Sequence, residues 1–341
     1  MDKKIDIAVV GATGLVGSAV LEHLSESKMS VGQVYPLASE QCDVETVPFG
    51  KKHLTVHTLS SFDFSQVQLC FFCVPAEVVS EYISKAVVAD CYCIDFSVTS
   101  RLDPEVPLVV VGVNEEDLEG MKGTVVASPD SSITHLACLL GPLKELDVIE
   151  RVNVTLMRSV SEFGKQAIDE LSAQSIALFN LKPIKTKHFS RQVAFNVLPH
   201  ACHAMGSDAA SNDRDMVADL ELELRRILHD DDVLLNSMLT QVPVFFGHSM
   251  MVQFEFAAEV PIKKVTALIK QASDLHLVDQ EVNSPTAITE AVNQSGIYIG
   301  AVRQDPAWPQ VINLWAVADN VHQGAAINGV QLAEILVKDY L

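Results

Sequence analysis

The residues Gly11-Ala12-Thr13-Gly14-Leu15-Val16-Gly17 space three glycines at intervals of three, where a short apolar run gives way to a helical pattern. That arrangement suits a dinucleotide. The first glycine allows a tight turn, the second lets the backbone approach a pyrophosphate, and the third permits close helix–strand packing; the first amides of the helix meet the anion. Gly11, Thr13, Gly14, Leu15, Val16 and Gly17 are the expected cofactor-binding set, the alternative being a tight turn with no ligand. The second expected strand ends in Leu37-Ala38-Ser39-Glu40-Gln41-Cys42-Asp43, with no base before Lys51. An acid at that point holds ribose hydroxyls, whereas an arginine accepts a 2′-phosphate. Glu40 therefore favours NAD over NADP, or else is simply solvated.

Other chemistry-bearing residues are less complete. Ser128-Pro129-Asp130-Ser131-Ser132-Ile133-Thr134 opens a helix, with Asp130 or Ser131 as its cap. Ser131 and His248 as a hydrolytic pair lack an identifiable orienting carboxylate. The spacing of His200, Cys202 and His203 suits no common zinc pattern, so no metal is expected. Cys70-Phe71-Phe72-Cys73 has redox-motif spacing, but in a buried strand residues three apart face opposite sides.

The elements that must position these residues change rhythm along the chain. Ile5–Val10 reads as a strand buried on both faces. A helix over Leu15–Ser27, strands at Val34–Ala38 and Val67–Val74, a helix over Ala76–Val88, and strands at Cys91–Phe96, Leu108–Val111 and Thr124–Ala127 follow. Such alternation predicts a doubly wound parallel sheet of Rossmann type. Beyond it come a helix over Ser132–Leu146, a strand at Val152–Met157, and a helix over Gly164–Phe179 with Ile168, Leu171, Leu178 and Phe179 on one face. A helix through Met216, Leu220, Leu224, Ile227 and Leu228 precedes strands at Val242–Phe246, Met250–Phe256, Ile297–Val302 and Val311–Val317. This predicts an α+β domain with a mixed or antiparallel sheet. A last helix over Gly324–Val337 should pack on the first domain. The fold class is thus α/β with a Rossmann-type domain, 1–130 with 319–341, and an α+β substrate and dimerisation domain, 131–318.

The chain has 341 residues, 48% hydrophobic and 20% charged, ample for two cores. A net charge of -20 repels phosphate backbones, so nucleic acid is not an expected partner. No apolar run approaches the roughly 18 residues needed to span a bilayer, and Met1-Asp2-Lys3-Lys4 leads into a glycine turn rather than a signal peptide. Seven cysteines, mostly within apolar segments, agree with reduced thiols and a cytoplasmic setting.

One family gathers these features in order. The loop Gly11–Gly17, Asp95-Phe96-Ser97-Val98-Thr99-Ser100-Arg101, Val113-Asn114, Ala194-Phe195-Asn196-Val197-Leu198-Pro199, Val242-Pro243-Val244-Phe245-Phe246-Gly247-His248-Ser249, and Ala318-Asp319-Asn320-Val321 with Gly324-Ala325-Ala326 together resemble aspartate-β-semialdehyde dehydrogenase, most of all its Usg-type paralogues. The glycine loop also resembles extended short-chain dehydrogenases. Those need Tyr-x-x-x-Lys, and the residues four beyond Tyr35, Tyr82, Tyr92 and Tyr298 are Ser39, Ala86, Phe96 and Val302, while Tyr340 has none.

The resemblance implies a phosphate-dependent oxidation in which a cysteine attacks the aldehyde and hydride passes to nicotinamide. It puts the nucleophile at Ser131, the acid–base histidine at His248, a phosphate-binding arginine at Arg101 (alternatively a surface ion pair) and a cofactor contact at Asn320. The arginine that clamps the substrate carboxylate is replaced by Gln241. Arg158 stands where a glutamine contacts the acyl substrate, Glu162-Phe163 replaces small residues, Val217 takes the place of an amino-binding glutamate, and Gln41 replaces an NADP-selecting arginine. A serine hydroxyl is several units less acidic than a thiol near 8.5 and needs a strong base to attack. The expectation is a binding or regulatory homodimer that keeps NAD or NADP, or a small anionic ligand near Arg101 and Arg158, without dehydrogenase activity. The alternative is a weak or altered NAD(P)-dependent aldehyde dehydrogenase of amino-acid biosynthesis.

Overall fold

The structure, a computed structural model, describes residues 4–199, 209–278 and 284–341. The chain divides into two compact units, Met1–Thr134 with Gly324–Leu341, and His135–Gln323.

In the first unit, β1 (Ile5–Val10), α1 (Leu15–Glu26), β2 (Val31–Ala38), β3 (Thr46–Phe49), β4 (Lys52–Thr55), β5 (His57–Thr58), β6 (Leu69–Phe72), α2 (Ala76–Val88), β7 (Tyr92–Asp95), α3 (Val98–Arg101) and β8 (Val125–Ala127) follow one another. Six strands form one sheet in the order β5-β2-β1-β6-β7-β8, and every pairing within it is parallel. The chain moves outward from β1 to β2, then resumes at β6 on the other side of β1. That reversal leaves a crevice at the carboxyl ends of β1 and β6, the usual ligand position in such sheets. The glycine loop leaves β1 there.

One expected strand is not formed. Leu108 makes a single bridge to Ala127, and side chains take over the ladder. Asn114 accepts from Val110 N–H at 2.9 Å and donates to Leu108 O at 2.9 Å. Asn328 accepts from Val111 N–H at 3.0 Å and donates to Val109 O at 2.9 Å. Backbone bonds to β8 stop at Ala127 N–H to Pro107 O and Val109 N–H to Ala127 O, at 2.8 and 3.1 Å, and the asparagines satisfy groups beyond them. The β3–β4 hairpin went unread because its polar alternation is short.

Helix α4 (Ser131–Leu143) carries the chain into the second unit, which holds β9 (Ile149–Arg158), α5 (Lys165–Phe179), β10 (Leu198–Pro199), α6 (Ala209–Leu228), β11 (Leu234–Gln241), β12 (His248–Phe256), α7 (Ile262–Gln271), β13 (Leu275–Leu277), β14 (Ile297–Gln304) and β15 (Val311–Ala318). Its seven strands form a mixed sheet ordered β10-β11-β9-β12-β15-β14-β13. Strand β9 runs parallel to β11 and antiparallel to β12. Alternation along these strands buries Val152, Val154 and Leu156 with Met250, Val252 and Phe254 on one face, while Met238 and Met251 lie exposed on the other.

Two further expectations change here. The strand lies at Leu234–Gln241, and Val242–Phe246 is a connecting segment. Pro243 lacks a ladder donor, and the segment instead accepts from Val160 and Ser161 N–H through Val244 O and Phe245 O at 2.9 and 3.0 Å. Along α5, Leu171 is buried, but Phe179 at the helix end is 79% exposed rather than on the buried face. Helix α8 (Ile327–Asp339) belongs again to the first unit, burying Leu332, Ala333 and Leu336 and contacting α1 and β7.

Candidate functional site

The glycine loop in the first unit is shaped by close backbone approach. Gly11 and Ala12 N–H both donate to Leu37 O, at 2.9 and 3.2 Å. Gly11 has φ of +81°, and a Cβ there would lie 2.4 Å from Cys73 O. At Gly17 a Cβ would lie 2.2 Å from Gly11 O. Gly14 caps α1 in an extended conformation without a side-chain cap bond. The first helical bond is Ser18 N–H to Gly14 O, so the amides of Leu15, Val16 and Gly17 precede it and belong to the end that attracts anions. Thr13 Oγ1 lies 3.6 Å from Cys42 Sγ, and Glu40, two residues past β2, accepts from Ser60 Oγ at 2.7 Å. These residues fit a dinucleotide: the cradle excludes side chains where a diphosphate would lie, and an acid follows β2.

Ser131 begins α4 and is 9% exposed. Asp130 caps the helix: its Oδ1 accepts from Ser132 N–H at 2.8 Å, and its carbonyl accepts from Thr134 N–H at 2.8 Å. The same carboxylate is 3.7 Å from Arg101 Nη1, an ion-pair distance longer than a hydrogen bond. Arg101 ends α3, whose start is tied to Asp95. That buried carboxylate accepts from Ser97 N–H at 2.9 Å, Ser97 Oγ at 2.8 Å and Ser100 Oγ at 2.6 Å. Burial pushes the Asp95 carboxyl above the usual range, outweighing the serine bonds and the pull of Arg101.

In the second unit three ionisable side chains meet. Arg158, 3% exposed, closes β9 and is the register partner of Gln241 at the end of β11. Its Nη2 donates to Glu162 Oε1, and its Nη1 lies 3.4 Å from Met216 Sδ. The other carboxylate oxygen, Glu162 Oε2, is 3.2 Å from Nε2 of His248, which opens β12 and is 1% exposed. Gln241 turns its amide to the backbone, donating to Arg158 O at 2.8 Å and Val242 O at 3.2 Å. Asn320 Oδ1 accepts from Gly247 N–H at 3.0 Å, Ser161 Oγ at 3.1 Å and Ser159 Oγ at 3.2 Å. That fixes the turn bearing Glu162 against the start of β12.

Sequence reasoning found no carboxylate for His248, and this is corrected: Glu162 supplies one. The eighty-odd residues separating them hide a pairing made by adjacent antiparallel strands, in which Met157 faces Ser249. His135 was also missed. Its ring is 6.2 Å from that of His248, edge-on, and its Nε2 is 3.2 Å from Asp319 O. Its position four residues after Ser131 was the only signal. Val217, adjacent to Met216 in α6, is half-buried. His200, Cys202 and His203 lie outside the described residues.

Family models match both units: "Semialdehyde dehydrogenase, NAD binding domain" over residues 6–121 and "Semialdehyde dehydrogenase, dimerisation domain" over 140–323. The chain is 37% identical to an aspartate-semialdehyde dehydrogenase of Legionella pneumophila, over 100% of this chain and 98% of that protein. It is 35% identical to a USG-1 protein homolog of Azotobacter vinelandii, covering 99% of each. Among solved structures it superposes on aspartate semialdehyde dehydrogenase II of Vibrio cholerae, complexed with ASA, with a TM-score of 0.93, 35% identity and 100% of both chains covered.

Proposed function

The chain belongs to the aspartate-semialdehyde dehydrogenase family, and from that premise we propose that it is a ligand-binding, regulatory member without aldehyde-oxidising activity. One observation carries this reading: the amino terminus of α4, which would acidify a nucleophile at position 131, holds a serine and is already capped by the Asp130 carboxylate. A helix end favours negative charge nearby, and a carboxylate seated on it opposes a second anion one residue on. Cys138, farther along α4, offers no substitute. Burial pushes its thiol up to about 12, so it stays protonated near neutrality.

The rest of the machinery is read accordingly. Gly11–Gly17 would hold the diphosphate of a dinucleotide and Glu40 its ribose, with NAD preferred because no base lies between β2 and Lys51. When bound, the nicotinamide supplies a hydride acceptor. Arg101 and Arg158 are the anion-binding candidates, with Gln241, His248 and Asn320 arranging the Arg158 side. The open face of the second unit's sheet, with Asn153, Met238, Met251 and Trp315 around a cavity of about 790 Å³, is the surface for a homodimer. No helix among the described residues is long and apolar enough to cross a membrane.

The test is turnover. Purified protein with aspartate semialdehyde, phosphate and either NAD or NADP should produce no reduced nicotinamide. Steady turnover abolished by His248→Ala would replace this reading with that of an altered aldehyde dehydrogenase.

A further inference from the structure

We infer that a second copy of this chain docks on the apolar end of α5, anchored by Phe179 and Phe195, away from the two-fold axis of the homodimer. The inference rests on the reading of the chain as a homodimer and adds a surface to its sheet face. Phe179, the last residue of α5, is 79% exposed, Leu181 is 95% exposed and Phe195 is 66% exposed. The rings of Phe179 and Phe195 meet edge to face, with centroids 5.6 Å apart. Ile176, one turn before Phe179, and Val197, two residues after Phe195, are exposed as well. Scattered apolar residues are ordinary on a surface, but a group of them around one helix end is a patch of the kind that marks a protein interface.

The backbone is strained to keep these residues outward. Leu181 closes α5 in a Schellman turn, its N–H donating to Leu178 O at 3.1 Å while Lys182 N–H donates to Ala177 O at 2.8 Å. Its φ of +53° is one that glycine adopts freely and leucine does not. Phe195 has φ of +55°, and bulky residues persist there only where their surroundings over-determine them, as at binding sites. Two buried side chains of α5 do so. Glu170 Oε2 accepts from Lys187, His188 and Phe189 N–H. Gln174 Oε1 accepts from Val193 and Ala194 N–H at 2.9 and 3.1 Å, and its Nε2 donates to Glu170 Oε1 at 2.9 Å. Phe195 thus stands one residue beyond a fixed anchor, and a display already rigid loses little freedom on binding.

Position and charge select the occupant. Val197 runs directly into β10, the edge strand that pairs with β11 through Leu198 and Gln241. Strand β11 carries exposed Leu234 and Met238, so the patch leads onto the edge of the sheet face read as the dimer surface. Between Phe179 and Phe195, the stretch Leu181–Gln192 bears Lys182, Lys185, Lys187 and Arg191 and no acid, in a chain with 24 bases and 44 acids. Another copy of so acidic a chain is repelled by most of this surface and drawn to that stretch. On the two-fold axis these bases would face their own counterparts, so the contact lies off the axis and is made twice.

Sedimentation velocity of the full chain tests this. Phe179→Ser with Phe195→Ser should raise the dimer dissociation constant about tenfold or more, the loss expected of central aromatic anchors. Lys185→Glu with Lys187→Glu should weaken the dimer too. Leu181→Gly should loosen it while the melting point of the dilute, monomeric chain holds or rises, because glycine relieves the backbone. A dimer as tight as wild type in the phenylalanine or the lysine variant overturns the inference, as does weakening confined to variants whose monomer melts lower. Met238→Lys with Met251→Lys separates it from the sheet-face reading. If that variant is monomeric while the phenylalanine variant dimerises like wild type, the sheet face stands and this surface falls; the reverse pattern keeps this surface and removes the sheet face. A wild-type chain that stays monomeric throughout the micromolar range removes both.

Discussion

Glu162 Oε2 stands 3.2 Å from His248 Nε2, and the opposite oxygen of the same carboxylate holds Arg158. An acid in a one-turn loop thereby joins the last residue of one strand to the first of its antiparallel neighbour. Removing it takes a carboxylate away from a buried guanidinium, the costly way to break an ion pair. Glu162→Ala should destabilise the second unit by about 2–3 kcal/mol, below the full buried-pair cost because the acid is partly exposed. Urea denaturation measures this, and the loss should shrink when Arg158 is replaced by methionine as well.

The glycine loop should respond to its cofactor. NAD at about 100 times its dissociation constant should raise unfolding stability by about 2.7 kcal/mol, with a smaller rise for NADP at the same concentration. Gly11→Ala should abolish the effect, since its Cβ would meet Cys73 O at 2.4 Å in a left-handed backbone. A melting point indifferent to both dinucleotides at millimolar levels would reduce the loop to a structural turn.

A thiol placed at position 131 reports on the field at the start of α4. In Ser131→Cys the neighbouring Asp130 cap should keep the new thiol near its ordinary acidity. Neutralising the cap in Ser131→Cys with Asp130→Asn should speed iodoacetamide labelling at pH 7 by about two- to fivefold, the range expected of one charge at a helix end. Labelling that is already fast with Asp130 in place would show that the cap does not restrain the site.

Adding Gln241→Arg to Ser131→Cys installs the two groups that the resemblance implies for these positions, yet under the proposed reading turnover of aspartate semialdehyde should stay undetectable while Glu162 remains. Glu162 holds both the histidine and the arginine. A third change, Glu162→Gly, is the one expected to bring reduced nicotinamide into view. Turnover from the double variant alone would show that Glu162 does not block the site.

Asp95 gives a pH dependence of definite sign. Burial raises its folded carboxyl above the usual 3.8, so over the window between these values the folded chain binds more protons than the unfolded one. Stability from this group is therefore greatest at acid pH and declines as pH rises from about 4 through the raised value. Comparing wild type with Asp95→Asn by urea unfolding between pH 4 and 7 should show a shallower decline in the variant. Parallel curves would remove the effect.

Much of the architecture was legible because it is written in local periodicity. Ile5–Val10 and Ala76–Val88 read from hydrophobic pattern alone coincide with β1 and α2, and the glycine spacing anticipated a loop whose missing side chains are excluded by contact. Leu108–Val111 misled because an apolar run says nothing about which groups satisfy its backbone; one nearby asparagine, Asn114, and one distant one, Asn328, do much of it. Leu234–Gln241 was passed over because alternate exposure leaves it half polar, while the more apolar Val242–Phe246 contains Pro243.

The candidate site divides along the same line. Residue types settle in advance that position 131 carries a hydroxyl, position 241 an amide, and the end of β2 an acid without a base. Those are facts of covalent chemistry that no folding can alter. What partners each charge is a different matter. Glu162 read as a departure from a small-residue turn became the carboxylate shared between Arg158 and His248 only when antiparallel pairing brought the ends of β9 and β12 together. Strand register, set by burial summed over whole faces, decided that meeting, and a window of local sequence contains no term for it.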